Sequence, residues 1–177
     1  GRVVRTSLTS IAGRFLPGLV MAATIGAATG TVGCTPTPDA PAGAAVVVEV
    51  VDGDTVDVRI GGRTERVRLI GLDTPETKRP DTPVECFGPE ATAFTASLLA
   101  EGTVVHIERD VVGRDHFGRL LGYLHLADGT FVNHEIIRRG FATPMSIEPN
   151  SVHARAFADA ARAAEAEDLG LWAACGS

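Results

Sequence analysis

The sequence predicts an α+β fold that is mainly β: a five-stranded Greek-key barrel of the OB type that carries three helices. Three short segments with strand patterns come first, and because no helix separates them, a βαβ arrangement is excluded. The later segments complete the order β-β-β-α-β-β-α-α. Short strands in this order, with few helices, are typical of a small closed barrel.

The first three predicted strands lie between residues 44 and 72. Residues 44–60 are rich in valine, break at an Asp-Gly pair and then alternate apolar with charged side chains. Gly61 and Gly62 predict a hairpin turn, and residues 63–72 alternate again. Such alternation predicts strands with one buried face.

The remaining elements follow a turn-rich loop. Pro89 marks the start of the first helix, and Gly140 and Gly170 follow the other two, as proline and glycine commonly do at helix ends. The predicted segments are a loop at residues 75–83, a helix at 88–99, strands at 104–107 and 120–126, a short helix at 133–139 and an alanine-rich helix at 151–168.

The composition fits one globular domain with a core. Of the 177 residues, 45% are hydrophobic, which excludes disorder throughout, and three cysteines are too few for a disulfide-scaffold miniprotein. Only one apolar stretch approaches the length of a membrane span, which excludes a protein with several spans. The net charge of −6 gives the chain no general attraction for nucleic acid.

The beginning of the chain predicts a leader followed by a tether. Residues 1–34 contain arginines, then an apolar stretch of small residues and then Cys34, in a pattern that resembles a bacterial lipoprotein signal. Residues 35–43 form a Pro-rich tether, and the domain occupies residues 44–177. We expect Cys34 to be lipidated and to anchor the protein to a membrane. The alternatives are an ordinary cleaved signal and an uncleaved anchor, and all three place the domain at the cell surface or outside the cell.

Two acidic motifs stand where predicted strands end. Residues 52–55 read Asp-Gly-Asp-Thr, and residues 73–76 read Asp-Thr-Pro-Glu. Clustered carboxylate and main-chain oxygens suit Ca²⁺ or Mg²⁺. Either motif alone is typical of an ordinary turn or cap. Their combination with Arg68, in the strand before the second motif, and with Arg119, in a later loop, is far more informative.

Taken in order, the motifs resemble the thermonuclease family, whose members have a staphylococcal-nuclease-like domain. The resemblance runs from about residue 48 to residue 172, nearly the whole domain, and the leader points to a secreted or lipid-anchored bacterial member. The matching stretches are residues 51–57, 68–77, 87–91, 115–119, 132–133, 140–142 and 170–172.

The resemblance implies a Ca²⁺ site. Asp54 and Asp73 would be its carboxylate ligands, and Thr74 would contribute its main-chain carbonyl. A bound Ca²⁺ would stabilise charge on the phosphoryl oxygens and offset the repulsion between the carboxylates and a phosphate.

The resemblance also assigns catalytic roles. Arg68 and Arg119 would hold the scissile phosphate, and Glu76 would act as the general base or orient the attacking water. The physical chemistry agrees, because negative charge builds on the phosphoryl oxygens during hydrolysis and two fixed guanidiniums stabilise it. Arginine suits this role better than lysine because its planar fork binds two phosphate oxygens at once.

A member of this family would hydrolyse DNA and RNA in a Ca²⁺-dependent reaction, with little sequence specificity, and would leave 3′-phosphates. We expect it to be a monomer. Two other classes stay open: a non-catalytic nucleic-acid- or peptide-binding module of the same fold, and a structural envelope lipoprotein. The complete set of catalytic residue types argues against the first, and only the leader favours the second.

Other residues near the motifs predict a groove for the substrate. Residues 143–150, where the family often carries tyrosines that stack on the substrate, contain no tyrosine, which predicts a weaker affinity for mononucleotides. The groove candidates are Lys78, Arg79, Arg114, His116 and Phe117.

Two cysteines predict a disulfide. If Cys34 is lipidated, Cys86 and Cys175 are left, and an oxidising compartment favours a bond between them. The alternative is two free thiols.

Overall fold

The computed structural model describes residues 44–78 and 83–176. The leader with Cys34 and the groove candidate Arg79 lie outside these residues. Within the described part of the chain, every helix is too short or too polar to cross a membrane.

Seven strands and four helices make up the described residues. The strands are β1 (Ala44–Asp52), β2 (Thr55–Ile60), β3 (Arg63–Leu69), β4 (Gly71–Asp73), β5 (Val104–Glu108), β6 (Leu120–Leu126) and β7 (Thr143–Met145). The helices are α1 (Gly88–Leu98), α2 (Val132–Arg138), α3 (Ala154–Ala166) and α4 (Leu171–Ala174).

Five of the strands close into a barrel. Their order is β1-β2-β3-β6-β5, and β5 pairs back onto β1. Neighbouring strands are antiparallel except β3 and β6, which run parallel. The barrel confirms the predicted α+β, mainly β fold, and the single-turn helix α4 is added to the three predicted helices.

The core of the barrel uses the apolar positions of the alternating strands. Val56 and Val58 of β2 are completely buried. Asp57 lies between them and is expected on the outer face, yet only 8% of it is exposed. Arg66, its partner across β2 and β3, explains the difference, because its Nε and Nη2 donate to the Asp57 carboxylate at 2.8 and 2.9 Å. A bidentate arginine compensates for much of the cost of burying a carboxylate.

The predicted strand at residues 63–72 is interrupted at Ile70. The side-chain amide of Asn133, at the start of α2, donates to the Ile70 carbonyl at 2.9 Å. Gly71 then has a φ of 81°, which favours glycine, and a Cβ there would lie 2.3 Å from the Phe157 ring. As a result β4 leaves the barrel and pairs with β7 in a separate two-stranded sheet. This turn carries the second acidic motif towards the first.

Cys86 and Cys175 are bonded in the structure, which is the predicted pairing. Their Cα atoms are 5.9 Å apart, and their positions in the sequence differ by 89. Cys86 lies just before α1, and Cys175 directly follows α4. The disulfide therefore joins the end of the chain to the loop that follows the second acidic motif.

Replacing both cysteines, in C86S/C175S, should lower the free energy of unfolding by at most about 4–5 kcal/mol, because the unfolded chain regains the entropy of an open loop. Denaturant unfolding of the variant and the wild-type protein measures the difference. Reduced wild-type protein should match the variant, since both lack the same bond. An unchanged free energy of unfolding in both would contradict a stabilising role for the disulfide.

Candidate active site

The functional side chains converge at one end of the barrel, where β1 turns into β2 and β3 passes into β4. The sheet register pairs Thr55 of β2 with Arg68 of β3. The N–H of Leu69 also donates to the carbonyl of Asp54 at 2.8 Å. The second acidic motif reaches the same place through β4, which ends at Asp73. Strand pairing therefore brings the two motifs together.

Asp54 is buried, with 8% exposure, and its carboxylate has several partners. Oδ2 accepts from the N–H and the hydroxyl of Thr74, at 3.3 and 3.0 Å, and forms an ion pair with Arg68. Oδ1 accepts from the Thr55 hydroxyl at 3.1 Å. Gly53 makes this packing possible, because a Cβ there would lie 2.6 Å from the Thr74 hydroxyl oxygen. The carboxylate is thus fixed from several sides.

Arg68 lies between two carboxylates. Its Nη2 donates to Oδ1 of Asp73 at 3.0 Å, while Nη1 pairs with Asp54. The pKa of Asp73 is raised above its usual value, mainly by burial. The charge of Arg68 lowers this pKa, and repulsion from Asp54 raises it further. The pKa of Asp52 is also raised, first by burial and then by the charge of Asp54. Arg68 therefore does not fully offset the repulsion among these carboxylates.

The donor set at this end of the barrel suits a hard divalent cation. Asp52, Asp54 and Asp73 line one shared cavity, and crowded carboxylates gain from a cation placed among them. Within the described residues, no group of three or more His, Cys, Asp or Glu side chains is arranged to hold a metal ion. The predicted set needs only two such side chains, with the carbonyl of Thr74 as a third donor. The chemistry of the donors therefore fits Ca²⁺, with its other oxygens supplied by water or substrate.

Glu76 lies in the loop after β4, at the same cavity. Its Oε1 accepts from the N–H groups of Thr77 and Lys78, at 2.9 and 2.8 Å. Its own N–H donates to the carboxylate of Glu85 at 2.9 Å. These bonds fix the orientation of the Glu76 carboxylate relative to its own main chain.

Arg119 approaches the cavity from the loop before β6. Its Nε donates to Oδ2 of Asp115 at 2.6 Å, and its N–H donates to Oδ1 of the same carboxylate at 2.9 Å. Burial raises the pKa of Asp115, but the hydrogen bonds and charge of Arg119 outweigh burial, so the pKa is lowered. About a third of the Arg119 side chain, 32%, is exposed. The guanidinium is therefore both held in place and accessible to a ligand.

A cavity of about 310 Å³ joins all these groups. It includes every residue predicted for metal binding and catalysis. Two further acids, Asp52 and Glu85, received no predicted role. Asp52 could have been found from its place in the first motif, whereas no local pattern points to Glu85. The lining residues are Asp52, Asp54, Thr55, Arg68, Asp73, Thr74, Pro75, Glu76, Glu85 and Arg119.

A second cavity, of about 400 Å³ and more apolar, shares Arg68 and Arg119 with the first. Met145, Ile147 and Pro149 line one side of it, within the segment that lacks tyrosines. An apolar surface next to two arginines would suit a nucleobase. Among the described residues that line this cavity, His116 supplies an aromatic ring, but no Phe, Tyr or Trp offers a larger stacking surface.

Of the described groove candidates, two line the apolar cavity, whereas Phe117 and Lys78 line neither cavity. Arg114 and His116 line the apolar cavity. Phe117 is 72% exposed, and its ring centroid lies 5.5 Å from the guanidinium carbon of Arg119. Lys78 is exposed in the loop after Glu76.

Comparison with known proteins agrees with this architecture. The family described as staphylococcal nuclease homologue matches residues 66–174. The chain is 38% identical to the thermonuclease of Staphylococcus intermedius over 127 residues, 72% of this chain and 74% of that one. It is 35% identical to the thermonuclease of Staphylococcus hyicus, over 71% of this chain and 73% of that one. It is also 35% identical to the SPbeta prophage-derived endonuclease YokF of Bacillus subtilis (strain 168), over 69% of this chain and 41% of that one. The chain belongs to the staphylococcal nuclease homologue family.

Proposed function

We propose that the protein is a Ca²⁺-dependent nuclease that hydrolyses phosphodiester bonds of DNA and RNA with little sequence specificity and leaves 3′-phosphates. One observation carries this proposal: two arginines, two aspartates and a glutamate from separate parts of the chain line a single cavity. The related thermonucleases and endonuclease support nuclease activity in general. Ca²⁺ dependence, action on RNA and the position of the product phosphate rest on the family resemblance.

Three groups would hold the Ca²⁺: the carboxylates of Asp54 and Asp73 and the main-chain carbonyl of Thr74. When bound, the ion supplies positive charge next to the phosphoryl oxygens. The bonds from Thr74 and Thr55 to Asp54 orient its carboxylate before any ion arrives. A carboxylate that is already oriented favours binding of the ion, because less conformational entropy is lost when the ion binds.

The two arginines would bind the phosphate from separate anchors. Arg68 is held by Asp54 and Asp73, and Arg119 is held by Asp115. Guanidiniums that are fixed before the reaction stabilise charge without reorganising during it. Arg119, which is the more exposed, would bind most strongly when charge builds towards the leaving 5′-oxygen.

Glu76 would take a proton from the attacking water. The amides of Thr77 and Lys78 orient its carboxylate. The loop that carries these residues would therefore determine where the attacking water is held. A carboxylate accepts such a proton at neutral pH without a large change in its pKa. Attack at phosphorus with departure of the 5′-oxygen leaves the phosphate on the 3′ side.

The low sequence specificity follows from the part of the nucleic acid that the site would bind. The charged groups of the site would contact phosphate, and contacts to phosphate carry no sequence information. Since the chain has a net charge of −6, attraction for nucleic acid has to be local, through Arg68, Arg119 and the exposed Lys78.

Purified protein incubated with plasmid DNA, and separately with RNA, tests the function. Cleavage in Ca²⁺ and none in EGTA is expected, with 3′ ends that a polymerase extends only after phosphatase treatment. Absence of cleavage in Ca²⁺ would favour a non-catalytic binding module or a structural lipoprotein. Equal cleavage in EGTA would overturn the metal assignment while leaving a nuclease.

The leader supports a location at the cell surface. We expect metabolic palmitate labelling of the wild-type protein and loss of the label in Cys34→Ala, because the cysteine follows an apolar stretch in the manner of a lipoprotein signal. Cys86→Ala serves as the control and should keep the label. Label that persists in Cys34→Ala would contradict lipidation of Cys34. An ordinary cleaved signal or an uncleaved anchor would then be the remaining alternatives.

A further inference from the structure

The loop that carries Glu76 is bound in both directions to the segment before α1. The N–H of Glu76 donates to Oε2 of Glu85 at 2.9 Å. The N–H of Glu85 donates to the carbonyl of Glu76, also at 2.9 Å. A side-chain bond and a main-chain bond between the same two residues fix the distance and the orientation of the two segments.

The Glu76 carboxylate follows its own main chain. Oε1 is bound by the amides of Thr77 and Lys78, so the position of the carboxylate depends on where this short segment lies. The same segment packs closely against Gly88. A Cβ at that position would be 2.6 Å from the Thr77 methyl carbon and 3.2 Å from the Glu76 carbonyl oxygen, so a larger residue would displace the segment. The start of α1 and Glu85 therefore both contact the segment that carries the proposed base.

The disulfide anchors Glu85. Cys86 is the next residue and is bonded to Cys175 at the end of α4. Helix α4 is itself attached to the body of the domain, because the N–H of Leu171 donates to the carbonyl of Gly140 at 2.8 Å. The disulfide and Glu85 border a depression of about 310 Å³ that also includes Asp73 and Thr74. The cross-link therefore lies next to the proposed metal site as well as to the base.

Both cysteines of this cross-link are exposed to solvent. A dithiol in solution reaches an exposed disulfide, and exchange through its thiolate is the ordinary route of reduction. Reduction gives two thiols on the protein and a disulfide on the dithiol, with two electrons and two protons transferred. Reduction therefore removes the covalent attachment of this loop to the residue that follows α4.

We propose that Glu85 is a positioning residue for Glu76 and that the Cys86–Cys175 disulfide keeps Glu85 in place, so that nuclease activity depends on the oxidation state of this bond. The inference rests on the proposed function of Glu76 as the base. The oxidised enzyme is the active form, and a dithiol reductant lowers its turnover by releasing the loop.

A different role for Glu85 is electrostatic, because it lines the same cavity as Asp54 and Asp73. Two substitutions separate the roles. Glu85→Gln keeps a carbonyl oxygen that accepts the Glu76 N–H but removes the charge, whereas Glu85→Ala removes both. Positioning predicts rescue by glutamine, while a contribution to metal binding predicts that both variants weaken Ca²⁺ activation equally.

The first experiment measures kcat, KM and the half-activating Ca²⁺ concentration for the full chain. We expect Glu85→Ala to lower kcat about tenfold or more, as misplacement of a reacting group does, with KM and half-activating Ca²⁺ unchanged. Glu85→Gln should keep kcat within about threefold of wild type. Glu101→Ala, a change at an exposed glutamate in the turn after α1, is the control and should leave all three values unchanged.

The second experiment tests the disulfide. Reduced wild type and the non-reduced C86S/C175S variant should show the same loss of kcat, and reductant should have no further effect on the variant. Circular dichroism checks that each remains folded. Hydrogen exchange at the Glu76 amide should be faster in reduced wild type and in Glu85→Ala than in the oxidised wild type.

The outcomes separate this inference from the function itself. An oxidised wild-type protein that does not cleave DNA overturns the proposed function. A wild type that cleaves, together with a Glu85→Ala variant of unchanged kcat, overturns the positioning role alone. Equal impairment of Glu85→Gln and Glu85→Ala does the same, since it assigns Glu85 to charge. Full activity of reduced, folded wild type overturns the dependence on oxidation state.

Discussion

Replacing Arg119 with lysine should lower kcat about a thousandfold, nearly as much as replacement with alanine, and should change KM little. Lysine keeps the positive charge, but it loses the planar fork that binds two phosphate oxygens. It also loses the Nε–H that donates to Asp115 at 2.6 Å, so the charge is no longer held in place. Steady-state cleavage of a defined DNA substrate at saturating Ca²⁺ measures both parameters.

Arg139→Lys is a matched control for this variant. Arg139 also forms an ion pair with an acid four residues earlier, Glu135, at 2.7 Å, but it directly follows α2 and lies outside both cavities of the site. It should keep the wild-type kcat. A near-wild-type kcat for Arg119→Lys, with an unchanged circular dichroism spectrum, would reduce Arg119 to an ordinary surface arginine.

Replacing Asp54 with asparagine should abolish activation by Ca²⁺, with a loss of about a hundredfold or more in kcat at Ca²⁺ concentrations that saturate the wild type. Asparagine keeps the shape of the side chain and an oxygen for the Thr74 N–H, so the barrel should stay folded. It removes the charge that a hard cation needs and the partner of Arg68. Calorimetric titration with Ca²⁺ and cleavage assays across a Ca²⁺ series measure the two effects.

Asp57→Asn controls for loss of a buried carboxylate. Asp57 is as buried as Asp54, at 8%, lies nearby on β2 and is likewise paired with an arginine, Arg66. It should lose stability without losing Ca²⁺ activation. If the two variants show the same Ca²⁺ response as the wild type, Asp54 is a structural acid and the metal site lies elsewhere.

Much of the fold could be predicted because the first strands alternate apolar with charged side chains and because proline and glycine mark the helix ends. The strand Leu120–Leu126 has the predicted bounds, and α1 ends within one residue of its predicted end. The division of residues 63–72 into β3 and β4 could not be predicted, since it depends on Asn133, which is distant in the sequence and takes the Ile70 carbonyl. The three residues of β7 carry too short a pattern to indicate a strand, and only pairing with β4 defines them.

The sequence likewise predicts some residues of the site and not others. The acids and arginines of the short motifs could be found because each motif combines several residues at fixed spacing. Glu85 could not, because its contact with Glu76 exists only when the loop folds back over nine residues. Arg114 lines the apolar cavity as a groove residue would, and the structure adds ties to Glu65 and Gly118, at 2.9 and 2.7 Å, that no local pattern indicates.

We propose that Arg119 and Glu76 act on one transition state. Single-turnover cleavage rates of the wild type, Arg119→Lys, Glu76→Gln and the double variant, all at saturating Ca²⁺, test it most directly. We predict that each single change lowers the rate about a thousandfold and that the double variant loses about a thousandfold to ten-thousandfold, because residues that act as a unit are far from additive. A double variant whose loss equals the product of the two single losses, about a millionfold, would show independent roles and contradict the single catalytic centre.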